Sequence, residues 1–203
     1  MNAIHWMASA MLAAKVKLEV AADNLANASS DGFHKHVART SAGPDGLATS
    51  TALSSERGAT RYTGRTMDLA LLGGGTFSVA PGRNPKLAQP TRTGAFMCDR
   101  EGYVVDQQGR TLIGKDGNLV RLPHAMPIEP DGTWRDGGRI VARLALPAGT
   151  TVRSGFLEGS NVNAIGEMID VIDAQRAFET AQKTLSALDE ARSKAANEVG
   201  RFK

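Results

Sequence analysis

Near the start of the chain, apolar side chains recur in alternating steps of three and four: Ile4, Met7, Met11, Ala14, Leu18, Ala21 and Leu25. A strand changes face at every residue, so this spacing specifies a helix, and its stripe is a heptad seam. The seam is thin, because Ala14 and Ala21 offer little apolar surface. A helix so lightly striped needs something to pack on. We read the seam as made for a partner helix; the alternative is packing on the chain's own domain. Turn formers then gather at Asn24, Asn27, Ser29, Ser30, Asp31 and Gly32. The helix is therefore expected over 3–28, closing near Asn27. Gly32 can take the positive φ that reverses a chain, and Phe33 follows as a buried anchor.

A second helix is expected over 161–199. Val162, Ile165, Met168, Ile169 and Ile172 form one apolar stripe. Phe178, Ala181, Leu185, Leu188, Ala195 and Val199 continue it, with Gln175 and Arg192 as polar members. The step from Ile172 to Phe178 is one residue short of a heptad, which strains a supercoil. Ser160 or Asn161 is the expected N-cap. The two seams can pair as an antiparallel hairpin, or each can meet a neighbouring subunit.

Between the helices the pattern changes twice. Thr40-Ser41-Ala42-Gly43-Pro44-Asp45-Gly46 and Thr49-Ser50-Thr51 have almost nothing to bury, so 37–61 is expected to be a linker, extended or unordered until a partner orders it. From 62 to 155, short apolar runs alternate with turns. Leu69-Ala70-Leu71-Leu72, Thr76-Phe77-Ser78-Val79, Tyr103-Val104-Val105, Thr111-Leu112-Ile113, Leu119-Val120-Arg121-Leu122 and Ile140-Val141-Ala142-Arg143-Leu144 are the runs. Glu101-Gly102, Gln108-Gly109, Asp116-Gly117, Asp131-Gly132 and Asp136-Gly137-Gly138 separate them. Such pairs suit tight hairpins, and their close spacing argues for an antiparallel sheet or small barrel. The expected class is α+β: an all-β domain flanked by N- and C-terminal helices that form a coiled-coil-like layer. Its segments are an assembly helix and turn (1–36), the linker (37–61), the β domain (62–155) and a second assembly helix (156–203).

Little in the sequence points to chemistry. The 203 residues suffice for one domain plus appendages. The net charge is only +3 with Lys and Arg spread along the chain, unlike the clustered basic face of a nucleic-acid binder. Cys98 is the sole cysteine, which excludes an intrachain disulfide; it reads as a small apolar strand residue. No run approaches the roughly 20 apolar residues that span a bilayer. His5, Ser9, Lys15, Lys17 and Glu19 interrupt the N-terminal apolar positions, which a signal peptide does not tolerate. Gly73-Gly74-Gly75 leads into a strand and not into Gly-Lys-Ser/Thr and a helix, so it reads as a turn. His5, His34, His36 and His124 read as exposed loop residues without a metal-ligand set. The acids of 99–136 fall in hairpin turns, and Ser154 and Ser160 have no recognisable base. No enzyme, cofactor, metal, nucleic-acid partner, small-molecule substrate or membrane insertion is expected.

The two ends carry motifs. Ser9-Ala10-Met11 leads through Leu18 and Val20 to Asn24-Leu25-Ala26-Asn27-Ala28 and Gly32-Phe33-His34-Lys35. Leu157-Glu158-Gly159-Ser160-Asn161-Val162-Asn163 precedes Glu167-Met168-Ile169 and Ala174-Gln175-Arg176-Ala177-Phe178-Glu179. In that order these resemble the two terminal signatures of the bacterial flagellar rod and hook family. Tyr62-Thr63-Gly64, Asp68-Leu69-Ala70, Thr91-Arg92-Thr93-Gly94-Ala95-Phe96 and Glu101-Gly102-Tyr103-Val104-Val105-Asp106 are similar to the β domain of its subunits. The resemblance implies a basal-body rod subunit that polymerises helically with itself and other axial subunits to transmit torque. It implies passage through the flagellar export apparatus without a cleaved signal, terminal helices in an inner tube and the β domain outside. It also gives an assembly interface: Met7, Met11, Leu18, Asn24, Leu25, Asn27, Gly32, Phe33, Asn161, Val162, Met168, Ile172, Gln175, Arg176, Phe178 and Leu185. Within it, Asn24 and Asn27 end and pin the first helix, Gly32 reverses the chain, and Gln175, Arg176 and Phe178 join neighbouring helices. The alternatives are a short hook or hook-associated subunit, or a soluble β-domain binding module dimerised by its helices.

Overall fold

The structure, a computed structural model, describes residues 3–44 and 46–201. Asp45 of the expected linker and the side chain of Val199 lie outside the described residues. The chain folds as two compact units: Met1–Ala28, Lys35–Ser55 and Val162–Lys203 make the first, Ser29–His34 and Glu56–Asn161 the second.

The first unit holds helix α1 (Ala3–Ala26), strands β1 (His36–Gly43) and β2 (Gly46–Leu53), and helix α2 (Ala164–Arg201). Helix α1 packs against α2 and against both strands. Asn24 near the end of α1 meets Glu167 in the first turn of α2, so the helices run antiparallel. The buried residues at this packing are small or polar: Ala14, Ala21 and Asn24 on α1, Glu167, Ala174 and Ala181 on α2. Small side chains let two helix backbones approach closely. The cap of α2 is Asn163, not Ser160 or Asn161; its Oδ1 accepts from Ile165 N–H at 3.2 Å and Gly166 N–H at 3.3 Å.

The shielded positions of α2 include Ala164, Glu167, Val171, Ala174, Phe178, Ala181, Leu185 and Leu188. They step by three and four without a break, so the shielded stripe has no short step at 172–178. Ile165, Met168, Ile169 and Ile172 form a separate stripe, turned outward and 72, 51, 55 and 49% exposed. The sequence pattern joined two stripes because the outward isoleucines precede Phe178 and Leu185, whereas the first half of the shielded stripe is marked by Ala164, Glu167, Val171 and Ala174.

Residues 37–61 also differ from the linker expected of them. β1 and β2 pair antiparallel from His36↔Leu53 to Gly43↔Gly46. The hairpin is held by polar contacts that composition does not reveal. Thr40 and Thr49 hydroxyls meet across it at 3.1 Å, and Leu47 N–H donates to Ser9 Oγ on α1 at 3.0 Å. Gly46 is buried there, and any Cβ on it would come within 2.6 Å of Ser9 Oγ.

The second unit contains β3 (Thr60–Tyr62), β4 (Leu69–Leu72), β5 (Phe77–Ala80), β6 (Gln89–Thr91), β7 (Phe96–Cys98), β8 (Val104–Asp106), β9 (Thr111–Leu112), β10 (Thr133–Asp136), β11 (Arg139–Arg143), β12 (Thr151–Ser154) and β13 (Phe156–Glu158). Five of them form an antiparallel sheet in the order β6-β5-β9-β8-β7; β4 pairs β12, β3 pairs β13 and β10 pairs β11. Among the described residues the strands close no barrel. Residues 119–122, expected as a strand, contribute only the isolated bridges Ile113↔Leu119 and Tyr103↔Arg121. Leu69, Val79, Phe96, Val104, Leu112, Trp134 and Val152 are part of one apolar core. The acids between strands shape turns. Asp99 accepts from the N–H of Glu101 and Tyr103, and Asp106 from those of Gln108 and Arg110. These contacts turn the chain locally, as Asx turns do.

Candidate assembly site

The N- and C-terminal motifs come together in each unit. In the first, the meeting point is Asn24, which is 0% exposed. Its Oδ1 accepts from His36 N–H at 2.8 Å and its Nδ2 donates to His36 O at 2.8 Å. The side chain thus serves both backbone groups of His36, as a neighbouring strand would. The same Nδ2 donates to Glu167 Oε2 at 3.0 Å. Glu167 is 1% exposed, and a carboxylate so buried needs both hydrogen bonds and countercharge. Lys35 supplies the charge, its ammonium pairing with Oε1. His36 Nδ1 lies 3.2 Å from Asp23 Oδ2. Asn27 closes the helix through N–H and Nδ2 donation to Asp23 O, at 3.1 and 2.9 Å. The last turn of α1, the start of β1 and the first turn of α2 are thereby locked around one amide.

In the second unit the meeting point is Glu158, also buried. Gly32 N–H donates to its carbonyl at 2.7 Å, and Asn161 N–H donates to Phe33 O at 3.4 Å. His34 Nε2 lies 3.2 Å from Glu158 Oε1, and Arg92 Nη1 lies 3.6 Å from Oε2. Arg61 reaches Asp31 at 3.2 Å, and Thr93 Oγ1 donates to Asp31 O at 3.3 Å. Gly32 has φ +71°, and a Cβ there would approach the Arg92 carbonyl carbon to 2.5 Å. The reversal at Gly32 thus presses directly on another backbone. Of the four histidines expected in exposed loops, His34 and His36 are instead half-buried and paired with carboxylates, because partners distant in sequence fold onto them.

The residues assigned from sequence divide by position. Met7, Met11, Leu18, Leu25, Phe178 and Leu185 are half-buried in the first unit, and Val162 is half-buried before α2. Asn24 is buried, while Asn27, Gly32, Phe33 and Asn161 are half-buried near the two clusters. Met168, Ile172, Gln175 and Arg176 face outward, with Gln175 Nε2 donating to Glu179 Oε1 at 3.2 Å. Glu167, Glu158, Lys35, His36 and Arg92 were absent from that set. Lys35, Arg92, Glu158 and Glu167 stand inside the quoted motifs, but only Glu167 also had a positional signal: it lies one heptad before Ala174 on the small-residue seam. Among the described residues, no three His, Cys, Asp or Glu side chains gather as a metal site, and no helix is long and apolar enough to cross a membrane.

Comparison with known proteins gives two family matches, one at each end. Residues 6–34 match the model described as flagella basal body rod protein, and residues 153–198 match flagellar basal body rod FlgEFG protein C-terminal. The chain is 30% identical to the flagellar basal-body rod protein FlgF of Escherichia coli (strain K12), over 92% of this chain and 94% of that protein. It is 27% identical to the flagellar basal-body rod protein FlgG of Bacillus subtilis (strain 168), over 87% and 90%. The flagellar hook protein FlgE of Rhizobium meliloti (strain 1021) is 33% identical, but over only 52% of this chain and 28% of that protein.

Proposed function

The chain belongs to the flagellar basal-body rod family, and on that premise we propose that it joins its neighbours in the rod through the outward face of α2. It is a structural subunit of the basal-body rod, interacting with other flagellar axial subunits. The observation that supports the proposed contact is the stripe of Ile165, Met168, Ile169 and Ile172, apolar yet about half or more exposed. A contiguous apolar patch of this kind on a soluble unit marks an interaction surface.

The two seams then have different tasks. Met7, Met11, Leu18, Leu25, Phe178 and Leu185 hold the helix pair of one subunit. Met168, Ile172, Gln175 and Arg176 contact the next subunit. Asn24, Asn27, Gly32, Phe33, Asn161 and Val162 fix where the helices begin and end. Repetition of such a heterologous contact gives an open helical polymer able to transmit torque. Delivery through the flagellar export apparatus without a cleaved signal belongs to the same reading. The rod assignment is favoured over a hook subunit because similarity to the hook protein covers so little of that protein.

The test is the double substitution Ile165→Ser and Ile169→Ser. The isolated chain is expected to keep its stability to within about 0.5 kcal/mol, since both side chains are exposed. Incorporation into basal bodies isolated from cells is expected to fail. Normal incorporation and motility of the variant would refute the assignment of this face.

A further inference from the structure

Strand β11 has one edge without a strand neighbour, since among the described residues it pairs with β10 alone. At one end of this edge Arg143 O turns away from β10 and accepts from Lys115 N–H at 2.7 Å. Beyond that bond the edge borders a groove of about 440 Å3, whose far wall is formed by 118–121. Val141 is the extra residue of a bulge, opposite the step from Trp134 to Arg135. Ile140 and Val141 on this edge are 46 and 37% exposed. An open edge with exposed apolar residues is a template for another strand.

The charges around it select which strand. Lys115, Arg121 and Arg143 line the groove, and Arg139 begins the edge. Arg121 is anchored at the rim by donation from Nε to Glu101 O at 2.8 Å. The one acid lining the groove, Asp116, is held by Asn118 Nδ2 at 2.7 Å. A second copy of β11 added antiparallel about Val141 would set Arg139 opposite Arg143 at both ends. Like charges directly across a strand pair are unfavourable, so this edge rejects its own copy and attracts carboxylates.

We propose that the outer edge of β11 receives an extended acidic segment of a partner polypeptide as an added antiparallel strand. Backbone hydrogen bonds to the edge supply the register. Apolar residues of the segment cover Ile140 and Val141, and its carboxylates face Lys115, Arg139 and Arg143. This surface belongs to the second unit and is separate from the α2 face assigned to rod contacts.

The experiment titrates the full chain with a labelled, end-capped peptide of about ten alternating Glu and Val residues, below the peptide's own self-association. A matched peptide of Lys and Val is the control. The expected result is saturable binding of the acidic peptide, weakened by salt, with amide shifts at 139–143 and 114–121. The double variant Lys115→Glu, Arg143→Glu changes two exposed side chains, keeps the amide spectrum of a folded chain and binds about tenfold or more weakly. Absence of saturable binding, equal binding of the Lys peptide, or unchanged affinity of the variant would each overturn the proposal. So would concentration-dependent self-association of the chain reported by the same amides.

Discussion

Asn24 does with a side chain what a strand does with its backbone. Removing that amide in Asn24→Ala deletes its bonds to His36 N–H and C=O and takes a donor from the buried Glu167. The expected cost is about 2–4 kcal/mol in urea unfolding monitored on the helices. An effect under about 0.5 kcal/mol would mean that water takes over these bonds. At Gly32 two effects coincide, positive φ and contact with the Arg92 backbone. Gly82 has φ +58° with open space around it, so it isolates the first effect. Gly82→Ala is expected to cost about 1 kcal/mol. Gly32→Ala should cost about 1–3 kcal/mol more, by the same denaturation measurement. Cys98 is half-buried beside the core, and burial pushes its thiol above the usual range, with Asp99 adding to the shift. Its alkylation near neutral pH should be slower in the folded chain than in denaturant, as followed by mass spectrometry of timed samples. At this scale the turn formers Asn27 and Gly32 were legible, because their conformational preferences are local, whereas Asn24, read as a third, lies inside α1 and acts through His36 and Glu167. Glu158 and Glu167 were not. A lone acid looks the same in sequence whether it faces water or a Lys and an Asn arriving from far along the chain.

Among elements, α2 shows why periodicity alone picks the wrong face. Its isoleucines make the louder pattern, yet the buried stripe is the one with Ala174 and Ala181. Ala181→Leu should wedge the helices apart and lower stability by about 1–3 kcal/mol in thermal unfolding. An equally stable variant would show that the two helices are free to separate at that level. The helices were readable from sequence because a seam repeats over many residues. The hairpin of β1 and β2 was not, since its Thr, Ser and Ala residues bury little and its pairing depends on Ser9 and Asn24 of α1. In the second unit the apolar runs marked β4, β5, β8, β9 and β11, but β3, β6, β7, β10, β12 and β13 carry no such run and were not legible. Their grouping into one five-stranded sheet and three separate pairs depends on distant pairings, such as β4 with β12 and β3 with β13.

For the molecule as a whole, the two units differ in what they bury. The second has a core of Leu, Val, Phe and Trp side chains, whereas buried alanines and a polar knot hold the first. Burial of larger apolar side chains contributes more stabilisation. Hydrogen exchange should therefore give lower opening free energies for amides of α1, β1, β2 and α2 than for those of β4, β5, β9 and β12. A single common opening energy would show instead that the chain unfolds as one block. The ordering of the segments has a temporal consequence. Apart from Ser29–His34, the second unit is contiguous, and every residue of it has emerged once Asn161 has. The first unit draws α1 and its hairpin from early sequence and α2 from the last stretch. In a chain released N-terminus first, Asn24 waits through most of synthesis for Glu167. Contacts of such long sequence separation form late. The unit built on the two terminal helices is therefore the last to close, and until then α1 remains available to whatever surface it meets first.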